Sequence, residues 1–350
     1  MQDDPPLQGL KVVDLTRLLP GPLATRQLVD WGAQVLKVED AGGDGTRHML
    51  LSPEDRASDA ESGLFQHLNR GKSLHTLDLA TDAGRDALLA MVRDADALIE
   101  GFRPGVMDRL GLGWPVLHEV NPRLVMCAIT GYGQHGPFAR RAGHDINYIA
   151  LAGVLGQNGP LDGDPVVPNF QIADLMGGTQ AALSGVLAAL IGAQRTGRGR
   201  FVDVSMTRQV WEHHVISRFE ARALGAPTRP GRGLLSGGSP CYNVYRTADG
   251  RHLAVGALEL KFWAKLCDVV GRPDWAQRHW SLGQRPASGD AITLRAELAA
   301  VIVAQPLAHW VPLFDAADCC VTPVLRPNEV PQHPWFAATE PAAAGRLSPR

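Results

Sequence analysis

The chain has 350 residues, 45% of them apolar and 20% charged, with 34 basic side chains against 36 acidic and a formal charge of -2. A balance this even excludes a broad field for nucleic acid, so an anionic ligand must be held by a local cluster of Lys and Arg. The length suits two domains. No apolar run reaches the roughly 18 to 20 residues that span a bilayer, and the opening Met1-Gln2-Asp3-Asp4-Pro5 lacks the basic and apolar regions of a secretory signal.

Leu10–Leu15 is apolar and β-branched enough for a buried strand. Leu18-Leu19-Pro20-Gly21-Pro22 is a turn that opens a helix, because proline suits a first helical turn. Leu23, Gln27, Leu28 and Trp31 give that helix its stripe, Gly32 caps it, and Gln34–Glu39 is the next strand. This βαβ unit predicts a parallel sheet. It lacks G-x-G-x-x-G, so no dinucleotide cofactor is expected. The alternation continues through a strand at Ser73–Leu77, a helix at Asp82–Ala95, and strands at Ala97–Ile99 and Leu124–Ile129. A helix of small residues at Ala181–Ala193 ends at Gly197-Arg198-Gly199. A strand at Phe201–Ser205 and a helix from about Arg208 to Leu224 follow.

Gly, Pro, Ser and Arg concentrate between Gly225 and Pro240, the expected linker. Beyond it, Tyr242–Arg246 and His252–Val255 flank Thr247-Ala248-Asp249-Gly250, a hairpin with an Asp-Gly turn. Helices are expected near Lys261–Val270, Ile292–Ala304 and Leu307–Ala316. The fold class is α/β: a Rossmann-like parallel-sheet large domain over residues 1–225, rejoined by about 326–350, and a smaller α+β domain over 226–325. Cys127, Cys241, Cys267, Cys319 and Cys320 are odd in number and contain no C-x-x-C. They read as reduced, mostly buried thiols of a cytoplasmic protein.

The residues that carry chemistry lie in short blocks. His144 sits in Gly143-His144-Asp145-Ile146-Asn147-Tyr148, and Asp174 in Gln171-Ile172-Ala173-Asp174-Leu175-Met176-Gly177-Gly178. A histidine and a carboxylate facing each other across one substrate carbon could take a proton from one side and return it on the other; spacing alone does not show that they face. Asp174 reads as an N-cap, and the helix end it caps also suits an anion or a developing enolate. His144 opens an apolar helix, Ile146–Leu155, as a core or capping residue or as a base. Arg103 follows a predicted parallel strand, where ligands of such sheets bind. Arg17, Lys37, Arg70 and Lys72 join it as phosphate contacts or are solvated charge. Glu259, between a strand and a helix, reads by itself as a capping acid. No His/Cys/Asp cluster has ligand spacing, so no metal is expected.

Together these blocks resemble one superfamily, the family III CoA transferases and α-methylacyl-CoA racemases, over nearly the whole chain. The carriers are Leu10–Leu15 with Pro20-Gly21-Pro22, Leu28–Glu39, Asn69-Arg70-Gly71-Lys72-Ser73, Phe102-Arg103-Pro104-Gly105 and Gly131–Pro137. Arg141–Tyr148 looks like the racemase motif whose histidine is a base, and Val255–Glu259 is similar to the racemase small domain with its glutamate near the site. The chain departs from the racemase pattern at Gly237–Asn243 and at Phe170, where an asparagine is often found.

The resemblance, closer to the racemase branch, implies catalytic His144 and Asp174 supported by Glu259 from a partner chain. It implies a CoA site at Arg17, Lys37, Arg70, Lys72, Arg103 and Tyr148. The expected substrate is a 2-methylacyl-CoA, with no tightly bound cofactor and coenzyme A only as part of the substrate. An interlocked homodimer is expected, and neither nucleic acid nor membrane as partner. The alternative is a CoA transferase with Asp174 as nucleophile.

Overall fold

The computed structural model describes residues 5–338 apart from 59 and 226. The chain divides into two compact units. The first holds residues up to Ala152 and Asn169–His213; the second holds Gly153–Pro168 and the chain from His214.

The first unit is built on six strands: β1 (Lys11–Leu15), β2 (Gln34–Glu39), β3 (Ser73–Thr76), β4 (Ala97–Glu100), β5 (Val125–Thr130) and β6 (Phe201–Ser205). They pair in the order β3-β2-β1-β4-β5-β6, every pair parallel. Parallel strands covered on both faces read as unbroken apolar runs, and β4 and β5 are buried along their whole length. On one face Val13, Leu98 and Met126 pack with Leu88, Val92 and Leu117. Each such side chain contributes about 1.5–3 kcal/mol by leaving water. The helix Asp82–Arg93 is started by Thr81, whose hydroxyl accepts from the Gly84 amide at 3.1 Å.

The helix ahead of β6 is longer than expected. A π-helical stretch, Ala173–Gln180, runs on into the α-helix Ala181–Thr196, which Gly197 ends in the left-handed conformation. Joined, the 24 residues are long and apolar enough to cross a membrane, which corrects the reading that no segment has that length. Ala182, Leu183, Val186, Leu190 and Ala193 are buried within the unit, and the helix lies against β5 and β6, the packing of a core helix. The helix opened by His144 is shorter than expected, Asp145–Leu151, and Gly153 follows it at φ 80.

In the second unit β7 (Tyr242–Arg246) and β8 (His252–Gly256) form the expected hairpin, with Gly250 at φ 74 in its turn. A third strand, β9 (Val321–Pro323), adds antiparallel to β8. The helices Leu260–Val269, Gly289–Ile302 and Leu307–Ala317 cover the sheet around Trp263, Trp275, Leu298 and Phe314. All five cysteines are free, and Cys320 alone among them is exposed.

The division between the units departs from the composition shift at Gly225. The expected helix 208–224 is two, Met206–His213 and Val215–Leu224, and the boundary falls at the break, where His214 has ψ 51. The glycine-rich stretch is not a free linker. Arg232 pairs with Asp162 through two hydrogen bonds of 2.7 Å, which ties it to the loop Gly153–Pro168 of the same unit. Residues 326–338 also group with the second unit, and Glu329 pairs there with Arg251 at 2.7 Å. The rest of the segment expected to rejoin the large domain lies outside the described residues.

Candidate active site

The strand order reverses direction between β1 and β4, and in open parallel sheets ligands bind outside the carboxyl ends at such a switch point. A cavity of about 290 Å³ lies there, wholly within the first unit. Its wall is Thr16-Arg17-Leu18 after β1, Gly101–Pro104 after β4, Thr130 and Gly131 at the end of β5, and Met206 after β6. The loop Ala139–His144, with Tyr148 and Asp174, completes it. The two residues singled out from sequence therefore line one cavity.

Small residues admit the larger ones. A Cβ on Gly131 would stand 2.3 Å from the Tyr148 ring, and one on Gly177 would stand 2.7 Å from the Met206 carbonyl oxygen. The first lets Tyr148 reach the wall beneath His144; the second draws the helix that carries Asp174 against the end of β6. Tyr148 donates from its hydroxyl to the Gly143 carbonyl and meets the Tyr132 ring edge-on at 5.2 Å. Burial, then Tyr132 and Asp174, push the Tyr148 hydroxyl up to about 12, so it stays protonated.

His144 stands exposed on the wall at the start of the helix Asp145–Leu151, and its amide donates to Asn147 Oδ1 at 3.0 Å. Asp174 is not the N-cap that its sequence context suggests. It lies inside the first turn, with Ile172 at the cap position, and the capping acceptor is Asp145 from another helix. Asp145 Oδ1 accepts from the Ala173 amide at 2.6 Å and the Asp174 amide at 3.0 Å. Those two amides are thereby spent and do not face a developing enolate, contrary to the expectation for this helix end.

The Asp174 carboxyl is half-buried, and its pKa rises from 3.8 to about 6. Burial is the largest cause, the Asp145 charge adds to it, and His144 pulls the other way. Asp145→Asn keeps an oxygen acceptor for both amides and removes the charge. The variant is expected to lower the Asp174 pKa, read from the pH titration of its carboxyl carbon signal by NMR. An unmoved titration would show that the Asp145 charge does not contribute to the rise.

The expected phosphate contacts divide. Arg17 and Arg103 are on the wall, and Arg17 also pairs with Asp40. Lys37 and Lys72 are not available to a ligand. The Lys37 ammonium is fully buried and pairs with Asp44 at 3.3 Å; that of Lys72 pairs with Asp14 at 3.0 Å, both side chains being 0% exposed. Gly71 at φ 78 turns the chain so that Lys72 points inward while Arg70 points out. Arg70 pairs with Asp30 at 3.2 Å and is not on the wall. Glu259 belongs to the second unit, exposed at the N-cap position of Leu260–Val269.

Sequence reasoning missed three residues here. Asp145 caps the Asp174 helix. Arg141 lines the wall and lies 4.4 Å over the Phe138 ring. Glu100, at the end of β4, accepts from the Phe102 amide at 2.6 Å and so holds the loop that carries Arg103. Burial raises its carboxyl to about 7, with Asp203 and Asp108 adding to the rise. Among the described residues no three His, Cys, Asp or Glu side chains converge as a metal site.

A histidine, a half-buried aspartate and two arginines thus lie together at the switch point of a parallel α/β sheet, where enzymes of this architecture place their sites. Residues 7–344 match the family described as CoA-transferase family III, and the chain belongs to that family. It is 36% identical over 335 residues to the alpha-methylacyl-CoA racemase of Homo sapiens, covering 93% of this chain and 80% of that protein. It is also 36% identical over 339 residues to the acetyl-CoA:oxalate CoA-transferase of Acetobacter aceti, covering 95% and 84%. Among solved structures it is similar to a CAIB/BAIF family protein from Brucella suis, with a TM-score of 0.79 at 29% identity over 96% of this chain and 88% of that one. Rv3272 from Mycobacterium tuberculosis aligns with a TM-score of 0.79 at 32% identity over 95% and 88%. The family contains racemases and CoA transferases at similar identity to this chain.

Proposed function

We propose that the protein is a cofactor-independent racemase or epimerase of 2-methylacyl-CoA thioesters. The observation that carries this reading is the pair of His144 and Asp174 on one cavity, with the aspartate tuned to about 6. A thioester carbonyl acidifies the proton on the neighbouring carbon. One base takes that proton, the C–H electron pair passes into an enolate, and the other base, already protonated, returns a proton to the opposite face. A carboxyl with a pKa near 6 can serve in both protonation states close to neutral pH. Arg17 and Arg103, with Arg141 beside them, are the charges on the wall suited to the CoA phosphates. Glu259, supplied by the second copy in an interlocked homodimer, is proposed to support His144; a folded monomer on sizing at low concentration would sink that part.

The test is incubation with a series of branched 2-methylacyl-CoA thioesters in D2O, read by mass spectrometry. Deuterium at the α-carbon is expected in at least one thioester. Its absence from all of them sinks the racemase reading.

The second reading is CoA transfer, favoured by the equal likeness to a transferase and by the opening of Asp174 onto the cavity. There the carboxylate attacks the thioester carbonyl and the C–S bond breaks, giving an aspartyl mixed anhydride and CoA thiolate; the thiolate then attacks the aspartyl carbonyl, releases the first acid and leaves CoA on Asp174 as a thioester for the acceptor acid. Hydroxylamine present during turnover would then modify Asp174 and inactivate the enzyme, whereas a racemase would be untouched.

A further inference from the structure

Four ionisable side chains that the proposed chemistry does not use lie beneath the cavity wall. Asp14 and Lys37 are 0% exposed and Asp44 is 1% exposed, and the Lys72 side chain is equally covered. Buried ion pairs add little net stability against well-packed apolar residues, so what these four hold in place is informative. All three residues Thr16-Arg17-Leu18 line the cavity, and none of the four charges does. The Thr16 amide and hydroxyl donate to Asp14 Oδ1 at 2.9 and 2.5 Å. Lys37 Nζ donates to the Thr16 carbonyl at 2.7 Å and to Asp44 Oδ2 at 3.3 Å. The Leu18 amide donates to both Asp44 oxygens at 3.2 Å.

Leu18 has φ 66, a left-handed conformation that costs any residue with a Cβ. Leu18 is 42% exposed, so its side chain is not locked in the core. The hold is on its backbone, through the carboxylate of Asp44. That carboxylate is itself fixed by Lys37 and by the Thr46 amide and hydroxyl, at 3.0 and 2.8 Å. Released, Leu18 would relax to negative φ and carry Arg17 and the wall with it.

We infer that Asp44, fixed by Lys37, is a positioning residue for the acyl-CoA site: it acts through the strained backbone of Leu18 and sets the wall that includes Arg17. The inference rests on the acyl-CoA reading and is independent of which reaction follows binding.

The test is calorimetric binding of coenzyme A itself to the full chain, with thermal melts run alongside. Asp44→Asn is expected to weaken binding about tenfold, the scale of a strained backbone no longer held. Adding Leu18→Gly is expected to restore it to within about threefold, because glycine adopts positive φ without a Cβ clash. A merely structural role for Asp44 predicts no such rescue. Undiminished binding by Asp44→Asn, or a double variant as weak as the single, overturns the inference. Should Asp44→Asn fail to fold, Thr46→Val removes one support of the carboxylate. It is then expected to weaken binding two- to threefold, again reversed by Leu18→Gly; no weakening overturns the inference. Failure of the unaltered protein to bind coenzyme A would be a different result, removing the acyl-CoA reading and this inference with it.

Discussion

His144→Ala is expected to abolish net racemisation of a 2-methylacyl-CoA in both directions, by at least about a hundredfold, the scale of a lost general acid–base group. On the proposed racemase reading, each stereoisomer presents its α-proton to a different base, and each product needs a proton from the other. With His144 gone one face has neither acceptor nor donor. Asp174 can still take a proton from its own face and return it there, so one isomer should exchange its α-proton for deuterium without inversion. Asp174→Ala should show the mirror pattern, exchange without inversion from the other isomer only. The measurement is deuterium content against enantiomeric composition over time, starting from each isomer separately. A transferase behaves otherwise: Asp174→Ala would be inactive, and His144→Ala would keep most of its activity toward an acceptor acid. Racemisation at the wild-type rate in both single variants would refute the assignment outright.

Folding provides a control on the same variant. The Asp174 carboxyl has a folded pKa of about 6 against an ordinary 3.8. The folded state therefore holds the extra proton between those values, and stability falls as pH rises through that window. Removing the group removes that penalty, so Asp174→Ala should melt no lower than the parent at pH 8.

Lys72→Met is expected to destabilise the first unit by about 3–5 kcal/mol at pH 7, the cost of leaving a buried charge without its partner. The ammonium donates to Asp14 Oδ2 at 3.0 Å, to the Pro22 carbonyl at 2.9 Å and to Asn69 Oδ1 at 2.9 Å, and methionine replaces none of these. Burial pushes the Asp14 carboxyl up, but Lys72, then Lys37, with hydrogen bonds from Thr16 and Thr25, overcome it and leave a pKa of about 2. A depressed carboxylate stabilises the fold above its unfolded pKa, near 3.8, and that contribution is lost as pH falls through the folded value. The gap between parent and variant should therefore narrow between pH 4 and 2. Urea midpoints at pH 7, 4 and 3 measure it. A variant within about 1 kcal/mol of the parent at pH 7 would show that the pair is dispensable, since surface pairs are worth that much. Asp14→Asn added to Lys72→Met should recover part of the loss, because the two residues share one interaction.

The elements of the sheet were legible because burial on both faces compels a simple pattern. Ala97–Ile99 and Leu124–Ile129 could be placed to within a residue at each end, since a central parallel strand buried on both faces reads as an apolar run. The helix expected over 208–224 shows the opposite case. Its apolar spacing continues across His214, and nothing local reveals that the chain passes there from one packed unit to the other. Composition misled in the same region: Gly225–Pro240 looks like a linker until Arg232 is seen paired with Asp162.

What the sequence alone determined was residue type and local period: a parallel sheet, a hairpin on Asp249-Gly250, the family, and His144 with Asp174 as candidate residues that the fold places on one cavity. Which charges face the cavity was decided only in three dimensions. Lys37, Lys72, Arg17 and Arg103 are equivalent cations in a string of letters. The register that sets Asp14 beside Lys37, and the turn at Gly71, bury two of them against carboxylates and leave the other two on the wall. The capping of Asp174 is likewise tertiary: Asp145 lies 28 residues before Ala173, and only the packing of two helix starts at one cavity brings its oxygen to those amides. A local pattern records what a residue offers to its chain neighbours. A charge buried or exposed, and a pKa near 6 or near 2, depends on partners that the chain reaches only by folding.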